Sequence, residues 1–196
     1  MMEIREEFPG ENEVNISQRF IDAGNGCINV RGRENTLQIG YPHHLGRLYL
    51  ELNGNNHVKI DNLTIMNDQE FRMMAPGSLE IGEWASFASR STINIHESAN
   101  VKIGTRCLIA SDVSMSCSSI HKIIDLASGR RINPPGDIII GDHVWIAANV
   151  SIWGGTNIGS DCVVGYGSFV AASYPSNCIL AGTPARVIRE NITWEA

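Results

Sequence analysis

The feature that most limits what this chain can fold into is a six-residue rhythm. From Ile138 to Gly167 the sequence reads IIIGDHVWIAANVSIWGGTNIGSDCVVGYG, and Ile140, Ile146, Ile152, Ile158, Val164 and Val170 fall six residues apart. An α-helix repeats every 3.6 residues and an alternating strand every 2, so neither yields that spacing. A hexapeptide β-helix repeat does. A coarser repeat runs beside it. The tetrads LQIG, VKID, LEIG, VKIG, IIIG and TNIG begin at Leu37, Val58, Leu79, Val101, Ile138 and Thr156, at intervals of 21, 21, 22, 37 and 18 residues. Eighteen residues are three hexapeptides, hence one triangular coil, and 21 or 22 fit a coil with a bulged corner. The interval of 37 reads as one coil plus a long loop, because Ile103, Ile109 and Met115 keep the rhythm until Cys117 and it resumes only at Ile138. Long loops in compact folds are uncommon and usually functional.

Each repeat position carries a physical expectation. The lead aliphatic residue points inward, and four residues later a second inward residue must be small or β-branched where walls converge. That position holds Ala85, Ser91, Cys107, Val113, Ser119, Val144, Val150, Thr156, Cys162 and Ser168. Cys107 and Cys162 are therefore read as small core residues. The residue after the lead is a corner expected to need positive φ, filled by Gly82, Gly104, Gly141, Gly159 and Gly165. One coil cannot bury its own interior, so stability comes from stacking coils in series. Residues 13–22 are compatible with a short helix, and Cys27 to Leu52 reads as strands with turns at Gly32, Gly40 and Asn53-Gly54. The expected organisation is an irregular N-terminal cap with first strands over 1–36, an all-β solenoid over 37–180 with its loop at 117–137, and a cap over 181–196. In that cap Val187, Ile188, Ile192 and Trp194 are expected to cover the last coil.

Composition narrows the function classes. The 196 residues suit one domain, and 43% hydrophobic content with 19 Gly fits a turn-rich β protein rather than a disordered one. A net charge of −6 argues against nucleic-acid binding, which wants a basic face. No run approaches about 20 apolar residues and the N-terminus is acidic, so neither a membrane span nor a signal peptide is expected. Five cysteines without metal or disulfide spacing suggest a reducing, cytoplasmic setting. His96, His121 and His143 are 25 and 22 residues apart with no compact pair among them, so no metal site is expected. His121 stands out because it lies at the root of the one long loop, where a solenoid presents function.

Four segments together carry a resemblance: the hexapeptides, the loop sequence His121-Lys122-Ile123-Ile124-Asp125, the stretch Ile140-Gly-Asp-His-Val-Trp-Ile146, and Ala181-Gly-Thr-Pro-Ala-Arg-Val-Ile-Arg189. Over residues 79–190 the chain resembles the left-handed β-helix acetyltransferases. Within them it looks most like the sugar O-acetyltransferases that modify bacterial capsules of the polysialic acid type. The resemblance implies a left-handed coil, acetyl-CoA as donor with no metal, a saccharide hydroxyl as acceptor, and homotrimers with sites between subunits. It also implies a direct attack on the thioester, with His121 as general base. Asp125, Asp112 or a backbone carbonyl is left to orient the other ring nitrogen.

By the same resemblance Trp145 lines the acetyl and pantetheine end, and the Ala148 N–H serves the thioester oxygen. Arg186 and Arg189 meet coenzyme phosphates, and Pro184 the adenine. The chain departs from the pattern at Ala147, where Gly is usual, at Tyr166, a large corner residue on the pantetheine side, and at Ala172, where Lys is common. Arg130 and Arg131 in the loop are two cations suited to an anionic sugar. Two rival readings remain, an N-acetyltransferase acting on an amino sugar or amino acid and a non-catalytic β-helix scaffold.

Overall fold

The rhythm becomes a stack of coils. The computed structural model describes residues 1–195. Its first elements are β1 (Met2–Glu6), β2 (Glu13–Ile16), α1 (Gln18–Ala23), β3 (Asn25–Arg31), β4 (Thr36–Ile39), β5 (His44–Asn53), β6 (Asn56–Ile60) and β7 (Ile65–Met73). Next come β8 (Gly77–Ile81), β9 (Ser86–Ile95), β10 (Ala99–Ile103), β11 (Leu108–Ile109), β12 (Ser114–Ser116), β13 (Ile138–Ile140) and β14 (Trp145–Ile146). The chain ends with β15 (Ser151–Trp153), β16 (Thr156–Ile158), β17 (Val163–Val164), β18 (Phe169–Val170), β19 (Ser173–Tyr174), β20 (Cys178–Gly182) and β21 (Ala185–Glu190).

Three walls result. Wall one stacks β1, β3, β5, β7, β9, β11, β14, β17 and β20, all parallel, and wall three stacks β2, β4, β6, β8, β10, β13, β16 and β19. Wall two is separate only in the later coils, as β12, β15 and β18. In the earlier coils walls one and two are single long strands, so β9 pairs with β11 at Ser86–Phe87 and with β12 at Thr92–Asn94. All six tetrads lie on wall three, with Ile39, Ile60, Ile81, Ile103, Ile140 and Ile158 in one register column. Because β10 pairs directly with β13, the 37-residue interval is one coil carrying an inserted loop.

Coil length tracks core size. The coils of 21 and 22 residues enclose Phe71, Phe87, Met66 and Met73, all fully buried, with the two phenyl rings edge-on at 5.9 Å. The 18-residue coils enclose Val, Ile and Cys instead. Of the ten expected second inward residues nine are buried; Ser119 is exposed, because the chain has already left the wall at Cys117. Burial pushes the Cys107 thiol up to about 11, and burial with the neighbouring Cys162 pushes Cys178 up to about 12. These thiols are inert packing groups.

The corner glycines do a different job from the one expected. Gly82, Gly104, Gly141, Gly159 and Gly165 do not adopt positive φ. A Cβ on Gly104 would lie 2.5 Å from the Gly141 carbonyl oxygen, so the column of glycines lets successive coils approach. Positive φ falls two residues later, on Trp84, Arg106, His143, Asp161 and Gly167. At four of these corners the residue's N–H donates to the coil above, as His143 does to Thr105 O at 2.8 Å and Asp161 to Asp142 O at 3.0 Å.

Both ends differ from the sequence reading. Residues 13–16 form β2, in register with β4, and the helix covers only Gln18–Ala23, with Phe20 buried beneath it. Already β1 pairs with β3, so the parallel stack begins at Met2. At the other end β21 turns back antiparallel on β20. The following residues run up the corner between walls three and one rather than across the last coil. Asn177 and Ile192 exchange hydrogen bonds, Thr193 Oγ1 donates to Asp161 at 3.3 Å, and Trp194 Nε1 donates to His143 O at 2.8 Å. Ala196 lies outside the described residues.

Candidate active site

The expected site residues sort onto two corners of the prism. His121 belongs to the first group. The loop leaves after β12 and returns at β13, at the corner between walls two and three, and folds into a small hairpin. Ile124 bridges Arg131, Ile132 N–H donates to Ile123 O at 2.9 Å, and Asp125 caps the tip through Ser128. His121 is exposed on this hairpin. Neither carboxylate considered as its orienting partner serves that role. Asp125 is held by Ser128, which keeps its carboxyl below the usual range, and Asp112 sits in a paired contact with Arg90 at 2.6–2.7 Å.

Arg131 is not the free cation that the sequence suggests. Its guanidinium grips Glu97 with two hydrogen bonds of 2.7 Å. Arg130 is exposed and makes no ion pair among the described residues. Ala172 lies at the same corner two coils on, between β18 and β19, and its carbonyl accepts the Asn157 N–H.

The second group lies on wall one and the corner between walls one and two. Trp145 stands outward on β14, 40% exposed, flanked along the wall by Leu108 and Val163. Ala147 N–H donates to Val164 O and Asn149 N–H to Ser111 O, while the Ala148 N–H between them has no backbone acceptor among the described residues. Below it Gly167 N–H donates to Ala148 O at 3.1 Å, which places Tyr166, 74% exposed, next in the column. Thr183 Oγ1 donates to Gly167 O at 3.5 Å, so Pro184 follows. Arg186 and Arg189 lie exposed on β21 without carboxylate partners among the described residues. A free amide, an exposed indole and two cations without carboxylate partners are thus displayed outward on wall one, on β21 and at the adjoining corner, donors suited to a carbonyl oxygen and to anionic groups.

Comparison with known proteins bears on this arrangement. Residues 137–172 match the bacterial transferase hexapeptide (six repeats) family. The polysialic acid O-acetyltransferase of Neisseria meningitidis is 30% identical over 193 residues, covering 93% of this chain and 85% of that protein. The chain belongs to the hexapeptide-repeat sugar O-acetyltransferases. Another relative in this family, the polysialic acid O-acetyltransferase of Escherichia coli O1:K1 / APEC, is 47% identical over 100 residues. That stretch is 51% of this chain and only 33% of the relative's length. Among solved structures, the polySia specific acetyltransferase NeuO aligns over 100% of this chain and 89% of its own, at 30% identity and a TM-score of 0.85. Galactoside acetyltransferase in complex with coenzyme A aligns over 70% of this chain and 65% of its own, at 26% identity and a TM-score of 0.50. The all-β, parallel β-helix expected of a sugar O-acetyltransferase is the fold found.

Within this acetyltransferase fold, three contributors escaped the sequence reading. Glu97 and Asn133 hold the loop, and Trp194 stacks on His143 at 4.3 Å and packs 6.0 Å from Trp145. Their partners are 34, 12 and 51 residues away, so no local spacing signals them. Among the described residues no group of three or more His, Cys, Asp or Glu is placed to hold a metal, and no helix is long and apolar enough to cross a membrane.

Proposed function

We propose that this chain transfers an acetyl group from acetyl-CoA to a hydroxyl of a saccharide, with His121 as general base. The acceptor is a sialic-acid-containing bacterial surface or capsular polysaccharide, and the site is shared between neighbours in a homotrimer. One observation carries the reading: His121 and Arg130 stand at the corner opposite wall one, while Trp145, Ala148, Tyr166 and Pro184 line wall one and the next corner. One chain does not bring the two groups together. A cyclic assembly that lays the loop corner of one copy against wall one of the next completes three equal sites. The exposed Ile120, Ile123, Ile124, Leu126 and Ile132 of the loop supply apolar area for such a contact, and Trp145 and Ile188 supply it on β14 and β21.

The donor supplies a thioester already activated towards an oxygen nucleophile. His121 takes the proton of the attacking hydroxyl as the C–O bond forms and returns it to the departing sulfur as the C–S bond breaks, so no acyl-enzyme is needed. The Ala148 N–H donates to the carbonyl oxygen as it gains charge. Arg130, with Lys122 beside His121, favours an anionic sugar on an otherwise acidic chain of net charge −6. The relatives named for polysialic acid support the same acceptor class. Five cysteines without a disulfide support a cytoplasmic setting, where acetyl-CoA is found.

The test is thiol release from acetyl-CoA against a panel of neutral glycans, acidic glycans and amines. Turnover is expected with sialic-acid polymers and not with amines. His121→Ala is expected to lower it by about 10²-fold or more while acetyl-CoA binding persists. Unchanged turnover in that variant ends the base assignment.

A further inference from the structure

The loop that carries His121 buries almost nothing. Ile120, Ile123, Ile124, Leu126 and Ile132 are all exposed in the single chain, so hydrophobic packing within the chain does not hold it. A segment of that kind opens at low free energy unless polar bonds tie it down. Those bonds exist, and they form one connected path. Glu97, at the corner after β9 in the coil above, accepts from Arg131 Nη1 and Nη2 at 2.7 Å each. The two side chains are only 23% and 18% exposed. Arg131 Nε donates to Asn133 Oδ1 at 3.3 Å, and the same oxygen accepts the Ile123 N–H at 2.7 Å. Asn133 Nδ2 then donates to His121 O at 2.8 Å and to Ser119 Oγ at 2.6 Å. The path therefore starts on the rigid stack and ends on the backbone of His121. The strength of its first link shows in Glu97, whose carboxyl the Arg131 hydrogen bonds hold down to about 2.

We propose that Glu97, Arg131 and Asn133 form a strut that positions the His121 imidazole, so that Glu97 and Asn133 are positioning residues for turnover although neither meets substrate. The inference rests on His121 being the base. Paired guanidinium–carboxylate geometry fixes both distance and plane, which a single charge contact would not. Asn133 grips both legs of the hairpin at once, so losing its amide frees the root of the loop as well as the His121 carbonyl.

The alternative is that Arg131 contacts the acceptor and Glu97 merely neutralises it, and kinetics separate the two. For the strut, Glu97→Gln, Arg131→Gln and Asn133→Ala each lower kcat by roughly 10- to 100-fold, as misplacement by about 1 Å does. KM for acetyl-CoA then stays within about twofold, the pair Glu97→Gln/Arg131→Gln costs no more than either single change, and Arg131→Lys fails to restore the rate. For an acceptor contact, Arg131→Gln raises acceptor KM while Glu97→Gln leaves kcat unchanged, and that result overturns the strut. Hydrogen exchange at the amides of residues 119–133 is the second measurement. Faster exchange in Glu97→Gln is expected whether or not His121 is the base, so a failed base assignment is told apart from a failed strut. Wild-type exchange rates in that variant also overturn the proposal.

Discussion

The corner glycines invite a paired perturbation, because two kinds of glycine in this fold fail for different reasons. Gly141 has no positive φ, and a Cβ there would meet Ser160 N at 2.6 Å, Ser160 Oγ at 2.7 Å and Gly159 C at 2.9 Å. Two of those three atoms are backbone, so the coil below must move away. Gly155 has φ +85°, yet a Cβ there meets nothing within 4 Å. Gly141→Ala is overpacking and should cost about 1–3 kcal/mol. Gly155→Asn keeps a residue type that takes left-handed conformations readily, as Asn55, Asn149 and Asn177 already do here, and should cost under about 0.5 kcal/mol. At about 2–4 °C per kcal/mol for a chain of this size, Gly141→Ala lowers the melting midpoint by roughly 2–12 °C and Gly155→Asn by no more than about 2 °C. Circular dichroism melts at one fixed protein concentration measure both, since assembly shifts apparent stability. Gly141 is also four residues before Trp145, so parting the coils there tilts β14 and should raise KM for acetyl-CoA. A Gly141→Ala protein that melts with the wild type refutes the close-approach account, and so does a Gly155→Asn protein that suffers more.

Two further outcomes follow from the loop. Arg130→Ala should raise KM for an acidic glycan several-fold with little change for acetyl-CoA, and added salt should shrink the difference between variant and wild type, as it does for exposed charges; equal KM values at low salt would remove Arg130 from the acceptor site. The Glu97 carboxyl is held at about 2, below its ordinary 4.5, so its contribution to the closed loop is complete above about 4.5 and is lost as pH falls towards 2. Loop-amide protection, corrected for intrinsic exchange, should be flat from pH 7 to 4.5, decline below that, and decline less in Glu97→Gln, where the Asp125 carboxyl at the hairpin tip still titrates in acid.

How much of this was legible in the sequence depends on the range of the interaction that sets each feature. The register of wall three was readable because each coil repeats the same inward demand, so Ile103 and Ile140 announce their pairing across a loop they do not touch. The corner glycines were located for the wrong reason, since spacing marks a corner but not whether its neighbour is the next coil's backbone or an awkward φ. The C-terminal tail misled for a related reason. Its apolar residues suggest a lid on the last coil; Val187 does pack against the core, but Trp194 stacks on the part-buried His143 ring and donates its Nε1–H to the His143 carbonyl, along an edge three coils long. Arg131 is the sharpest case. Next to Arg130 in sequence, it looks like half of a cationic pair, but a hairpin sends adjacent side chains to opposite faces. One face meets solvent, and the other meets Glu97, 34 residues away and in no periodic relation to it. A repeat sequence specifies what recurs. The proposed base lies on a segment that does not recur, so its geometry rests on single contacts such as Arg131–Glu97 and Asn133–His121 that only the folded chain displays.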